Sequence, residues 1–406
     1  MKVALTLGLV ACADGTTLDD GGGGTAATGT WSGSGGGTTT ATTSGAGAGG
    51  AGNTTTTSSS GGEGGQGGST TSTTTSAGGS GSGGGDVTPP TVVDVTPGDG
   101  TIAVLSSSKV SVTFSEPMAP ASVTASANAS CSGTIQLSKD DFLSCVPIVG
   151  GAVTEDDLTF TLTPNAALAS LSTYKVRVTT GATDAAGNGV AQAFESSGFS
   201  TAFRHTVVMD GVNDFFPMSD AFATSTAGNQ LYVTHDETDL FVGLSSPDIA
   251  PGSAGNKFVY FLFSVDGALA SGNTLSSDGK AKFGAGKAMT FHYKERIVGA
   301  TYKEYRVGDA SGWTADWGTQ NKSSFVATGF LEAQIALSEL GATPSSVSVT
   351  AFTIDYAGDA GSGWLYNMFT GATDGSGAAP RDLVKYVGLT LPASAVPNDA
   401  THLKSF

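Results

Sequence analysis

From Gly15 to Gly85 the chain is built almost wholly of Gly, Ser, Thr and Ala, with Trp31 its only aromatic residue. A stretch of that make-up has too little apolar surface to offset the entropy of ordering it. Folding is therefore confined to the chain beyond Gly85, and residues 12–86 read as a low-complexity linker. Gly/Ser-rich coils span ~5 to 6 Å × √n, which puts the far end of this one about 45 Å out on average. The clusters Thr39 to Thr43, Thr54 to Ser60 and Thr70 to Ser76 offer hydroxyls for O-glycans or serve as plain spacer.

Charge removes one class of partner. Lys and Arg number 18 against 35 Asp and Glu, a net charge of -17 over 406 residues. Binding nucleic acid requires Lys/Arg to displace counterions from phosphates, and the sequence holds no basic run to do it. The same sign opposes adhesion to anionic lipid by charge and suits solubility at a negatively charged surface.

Met1-Lys2 followed by Val3-Ala-Leu-Thr-Leu-Gly-Leu-Val-Ala11 is a cationic start and an apolar run. That run is too short to cross ~30 Å of hydrocarbon as a helix, so residues 1–11 read as an export signal. It closes on Leu9-Val10-Ala11-Cys12, which resembles the bacterial lipobox. The resemblance implies a diacylated Cys12 as mature N-terminus and a bilayer as its partner. Ala13 in place of Asp implies the outer membrane under the enterobacterial sorting rule. Cys131 and Cys145 then remain. Export permits a disulfide between them, and closing a loop of about 15 residues stabilises by ~3 kcal/mol. Zinc, the alternative, needs four Cys/His-type ligands, and the first His in the chain is His205.

Residues 87–203 alternate apolar and polar over short stretches: Val110-Ser-Val-Thr-Phe114, Leu158-Thr-Phe-Thr-Leu162 and Tyr174-Lys-Val-Arg-Val178. Period-two alternation between turn residues predicts half-buried strands and a β-sandwich. Thr88-Pro-Pro90, Phe114-Ser-Glu-Pro-Met118, Pro120-Ala-Ser-Val123, Thr173-Tyr-Lys-Val176, Thr183-Asp-Ala-Ala-Gly-Asn188 and Phe199-Ser-Thr201 occur in order. The series resembles the bacterial Ig-like domain of S-layer proteins and surface lipoproteins, which implies a spacer module. Glu116, Asp184 and Asn188 are oxygen ligands that this order could gather for Ca²⁺, or they are turn caps and surface charge. No other cofactor is expected.

Residues 204–391 read as further strands, with Ser338 to Leu340 the single helical turn, so the expected fold class is all-β: an Ig-like sandwich, then a larger jelly-roll-like one. Phe258-Val-Tyr-Phe-Leu-Phe263 is apolar on both faces and predicts a central strand. Residues 392–406 are expected to be a tail. Met209-Asp-Gly-Val-Asn-Asp-Phe-Phe216, Leu231-Tyr-Val-Thr-His-Asp236, Asp239-Leu-Phe-Val-Gly243 and the run Gly329 to Gly341 resemble family 9 carbohydrate-binding modules and DOMON-like sandwiches. The resemblance implies a ligand such as a polysaccharide or surface glycan. Trp313, Trp317 and Trp364 are candidate sugar platforms, with Asp316, Asn321 and Asn367 as polar partners; alternatively the rings close the core. Relatives also hold haem through Met and His, for which His205, His235, His292, Met209, Met218, Met289 and Met368 supply the residue types.

Catalysis is not expected. His235-Asp-Glu-Thr-Asp239 ends in Asp where the zinc motif HExxH has His, and 35 acidic residues leave no pair that stands out for glycoside hydrolysis. The sequence reads as a non-catalytic, lipid-anchored envelope protein. Its larger sandwich binds a glycan or, alternatively, makes structural or adhesive protein contacts; haem or metal carriage is a third reading.

Overall fold

The computed structural model describes residues 85–267, 272–284 and 287–406. The signal segment, Cys12, Trp31 and the linker through residue 84 lie outside them.

Seven strands form the first domain: β1 (Val92–Thr96), β2 (Val110–Phe114), β3 (Ile135–Ser138), β4 (Thr159–Leu162), β5 (Thr173–Val178), β6 (Phe194–Glu195) and β7 (Phe199–Ser200). One sheet runs β1-β2-β4 and the other β3-β5-β6, with β7 also paired to β5. Alternation places the core: Val110, Val112 and Phe114 of β2 and Tyr174, Val176 and Val178 of β5 point into one cluster with Phe160, Leu162 and Ile135. The stretch between β2 and β4 carries a disulfide joining Cys131 to Cys145, with Cα atoms 5.1 Å apart.

The second domain begins with β8 (Ala221–Ala223), β9 (Gln230–His235), β10 (Asp239–Ser245), β11 (Ala250–Pro251), β12 (Lys257–Val265), β13 (Ala281–Phe283), β14 (Phe291–Gly299) and β15 (Lys303–Asp309). It continues with β16 (Gly312–Asp316), β17 (Lys322–Ala327), β18 (Phe330–Ala336), α1 (Leu337–Leu340), β19 (Ser346–Asp355), β20 (Trp364–Tyr366), β21 (Gly375–Ser376), β22 (Arg381–Leu383), β23 (Lys385–Thr390) and β24 (Leu403–Ser405). A five-stranded sheet, β17-β18-β10-β9-β8, packs on a ten-stranded one whose main path is β16-β15-β14-β12-β19-β20-β21. β12 is central, paired antiparallel with both β14 and β19.

The inter-sheet core takes Leu231, Val233, Leu240, Val242 and Leu244 from one side and Val259, Phe261, Phe263, Tyr293 and Val349 from the other. The intervening residues of β12, Phe258, Tyr260 and Leu262, are buried too, beneath Phe283, Met289, Leu365 and Leu383 on the outer face of the large sheet. The outer face of the small sheet is covered by Val207 and Phe215. There Phe215 comes so near the backbone of Gly243 that a Cβ would sit 2.9 Å from its ring, so only glycine fits.

Residues 392–406 depart from the expected tail. β24 pairs with β23, Phe406 packs on Phe283 and Tyr386, and Ala393 accepts a hydrogen bond from the Phe203 amide at 2.7 Å.

Candidate functional site

The three tryptophans do not form one platform. Trp313 is on strand β16 rather than in a turn; its indole N–H donates to Leu275 O at 2.6 Å and its ring lies 5.0 Å from that of His292. Trp317 packs against the inter-sheet core, with its indole N–H on Glu339 O at 3.0 Å and its ring against Phe291. These two rings therefore stand on opposite faces of the large sheet. Trp364 stands apart from both on β20 and is 43% exposed.

The polar partners are also engaged. Asp316 caps the turn at Gly318, and Asn321 donates to Glu339. Asn367 is fully buried, accepting from Asn229 at 2.7 Å and donating to Thr353 at 3.1 Å. The structure does not bring these six residues together in one site: the indole N–H groups of Trp313 and Trp317 find their acceptors within the protein.

A different group of side chains shares the outer face of the large sheet. Lys294 and Arg296 are two apart on β14, so their side chains emerge on the same side. The Lys294 Nζ lies 4.6 Å from the ring centre of Phe258, 4.9 Å from Tyr260, 5.3 Å from Tyr356 and 5.8 Å from Tyr302. Its hydrogen bond is a long one, 3.4 Å to the Tyr356 hydroxyl. Burial among these rings holds the Lys294 pKa below the usual lysine value, against the pull of Glu304 and Asp278. Arg296 stacks 4.8 Å from Phe258, donating to Ala300 O and Asn256 Oδ1. Its Nε is a buried donor without an acceptor. Arg306, on the neighbouring strand, is instead neutralised by Glu304 at 2.8 Å. Composition gave no hint of this group, because its aromatic and basic members come from β12, β14, the turn leading into β15 and the residue just after β19.

In the first domain Glu116 and Asp184 do meet, with Asp86 as the third member; one oxygen of each lies within 4.8 Å of the others. Asn188 is a brace rather than a ligand: its side-chain N–H groups donate to Asp184 at 2.8 Å and to Asp86 O at 2.9 Å. Gly187, at φ +95°, makes the turn that allows this. Burial first, then the charges of Asp86 and Asp184, push the Glu116 pKa up. Burial opposes the charge of Asp184, but donors on Asn188 hold its pKa below the carboxylate range. Three carboxylate oxygens this close are a donor set for a hard divalent cation. Asp86 was missed because it ends the low-complexity stretch, far in sequence from its partners.

The turn His235–Asp239 joins β9 to β10 and has a mechanical use. Glu237 accepts the Ser106 amide at 2.5 Å and the Ser107 hydroxyl at 3.1 Å, tying the second domain to the first. A cavity of about 460 Å³ opens beside it, lined by Leu105, Phe203, His235, Leu337, Pro344 and Leu391 among others.

The haem candidates are dispersed. His205 is held by Asp220 at 2.6 Å, His235 by Asp236 O, and His292 is fully buried against Tyr260 and Trp313. Met289 and Met368 are packed in the outer apolar layer, Met218 is exposed and Met209 lies against Phe215 and Tyr232, so none of the four borders the His235 cavity.

No curated protein matches the chain. Among solved structures it is similar to the N-terminal part of the bacterial S-layer protein SbsC, at 18% identity over 39% of this chain and 40% of that one, with a TM-score of 0.21. It is also similar to the S-layer protein rSbsC(31-844), at 11% identity over 77% of this chain and 59% of that one, TM-score 0.20. A third, surface layer protein SbsC, domains 1-6, gives 10% identity, 78% and 58% coverage, and a TM-score of 0.21. The chain thus matches 40% to 59% of the length of these proteins, and scores of that size carry no argument about arrangement. The match to the family model is local and specific: residues 86–201 fit the bacterial Ig-like domain and the fit ends before the larger sandwich, so the first domain is a bacterial Ig-like domain.

Proposed function

We propose that this chain is a non-catalytic bacterial surface protein, anchored through an acylated Cys12, in which the Ig-like domain is a spacer and the larger sandwich is the contacting module. The observation that carries the reading is the joint between the two domains. Glu237 reaches Ser106 and Ser107, and the Phe203 amide reaches Ala393, so no slack separates them. A spacer joined in this way fixes the direction in which its neighbour is displayed. The lipobox-like Cys12, the linker and the acidic surface supply the setting.

The likeness of the larger sandwich to family 9 carbohydrate-binding modules supports an extracellular polysaccharide as its ligand. The half-buried, hydrogen-bonded Trp313 and Trp317 favour a surface other than the three tryptophans. The test has two parts. Radiolabelled palmitate should enter the wild-type protein and not Cys12→Ala, which should leave the membrane fraction; label in both would remove the anchor. The full chain on a glycan array should bind at least one polysaccharide, and co-purification of a surface protein without glycan binding would favour the adhesive reading.

A further inference from the structure

Lys294 and Arg296 stand side by side on the outer face of the large sheet without a carboxylate partner among the described residues. In a chain with nearly twice as many acids as bases, two adjacent half-buried cations left in this state are unexpected, since burying a charge is costly unless it is paired. Glu304, the carboxylate on the next strand, already takes Arg306 and the Tyr302 hydroxyl. Asp278 is occupied by the Tyr356 hydroxyl at 2.6 Å, which in turn contacts that of Tyr260 at 2.8 Å. The ammonium keeps donors beyond its one long bond, and Arg296 Nε has none of its own needs met. Beside them Tyr302 is 40% exposed, its ring edge-on to Phe258 at 5.7 Å.

We propose that Lys294 and Arg296, with the rings of Tyr302 and Tyr356, form a binding site for the carboxylate of an acidic polysaccharide. The ammonium and guanidinium would take the anionic group by charge-assisted hydrogen bonds, and Tyr302 would stack on the C–H face of the sugar ring. A neutral glycan could accept hydrogen bonds from both groups but would leave their charges uncompensated, and an acidic peptide would offer the charge without the flat C–H face. The proposal rests on the larger sandwich being the contacting module, but not on the lipid anchor.

The experiment is titration of the full chain with oligogalacturonate and with its methyl ester, which keeps the rings and removes the charge. Saturable binding is expected to the acid form, at least tenfold weaker to the ester and weaker at high salt. Lys294→Met combined with Arg296→Gln, which keeps the aliphatic packing, should reduce affinity at least fiftyfold at an unchanged unfolding midpoint. Arg296→Gln alone serves if the double variant unfolds, and should cost tenfold. Tyr302→Ala should weaken binding severalfold and Trp364→Ala should not. Equal affinity for acid and ester, no binding of the acid form, full affinity in the Arg296 variant, or equal binding of poly-glutamate would each overturn the proposal. A neutral polysaccharide bound on the array while oligogalacturonate is ignored would leave the wider function standing and remove this site.

Discussion

In the Ig-like domain β2 buries every second residue, whereas β12 of the larger sandwich buries seven in succession, Phe258 to Ser264. The small domain has one core between two short sheets and a disulfide that brackets β3. The large one has an inter-sheet core and a second apolar layer outside the ten-stranded sheet. The contrast shows two routes to burial: a small sandwich leans on a covalent tie, and a larger one covers a sheet twice.

The comparison can be broken most forcefully at β12. Phe261→Ala removes a fully buried ring between the sheets and should cost the larger sandwich ~3 to 5 kcal/mol, seen as an early loss of its tryptophan fluorescence in urea. All three described tryptophans report on that domain alone. If Phe261→Ala cost less than about 1 kcal/mol, far under the usual range for a buried ring, the two-layer account of β12 would fail.

Second in size is the covalent tie. Replacing Cys131 and Cys145 together by Ser should lower the stability of the Ig-like domain by ~3 kcal/mol. Calorimetry should show this while the larger sandwich keeps its own transition.

A third test probes a charge inside the larger core. Glu295 shares its face of β14 with Tyr293 and Ile297, which point between the sheets. Burial pushes its pKa up to about 7, against relief from Lys303. The folded state therefore holds its proton longer than the unfolded chain. The stability tied to this group is complete below about pH 4.5 and is lost as pH rises through about 7, about 3 kcal/mol in all. Glu295→Gln should flatten the urea midpoint across that window and stabilise the protein at pH 8. A wild-type midpoint independent of pH over the same range would contradict the burial argument.

The smallest expected effect lies at Asp86, Glu116 and Asp184. Millimolar calcium should raise the unfolding midpoint of the Ig-like domain slightly, chelation should reverse it, and Glu116→Gln should rise without calcium and respond little to it. A calcium response of equal size in Glu116→Gln would show that the cation acts elsewhere.

Strands announced themselves in the sequence wherever one face met water. β2, β4 and β5 were visible from alternation, and β12 from its unbroken apolar run between turn residues. β16 was hidden because Gly312 and its neighbours carry turn chemistry, while its pairing to β15 shifts register between Val307 and Gly308. β24 was hidden because a three-residue strand at a chain end has no periodicity to read. Sites fared worse than strands. Glu116 and Asp184 were legible as turn-associated oxygens, yet Asp86 reaches them only through tertiary folding. Trp313 and Trp317 are drawn in because their N–H groups find acceptors inside, and those acceptors, Leu275 O in the loop before β13 and Glu339 O in α1, come together with them only through tertiary folding.

The Glu237 clasp has a consequence for how load travels. With both carboxylate oxygens engaged on Ser106 and Ser107, a sideways tug on either sandwich is resisted in shear by short bonds at the turn. Rotating one sandwich past the other at this turn would have to break both bonds at once, so the clasp opposes twist at the joint as well as separation.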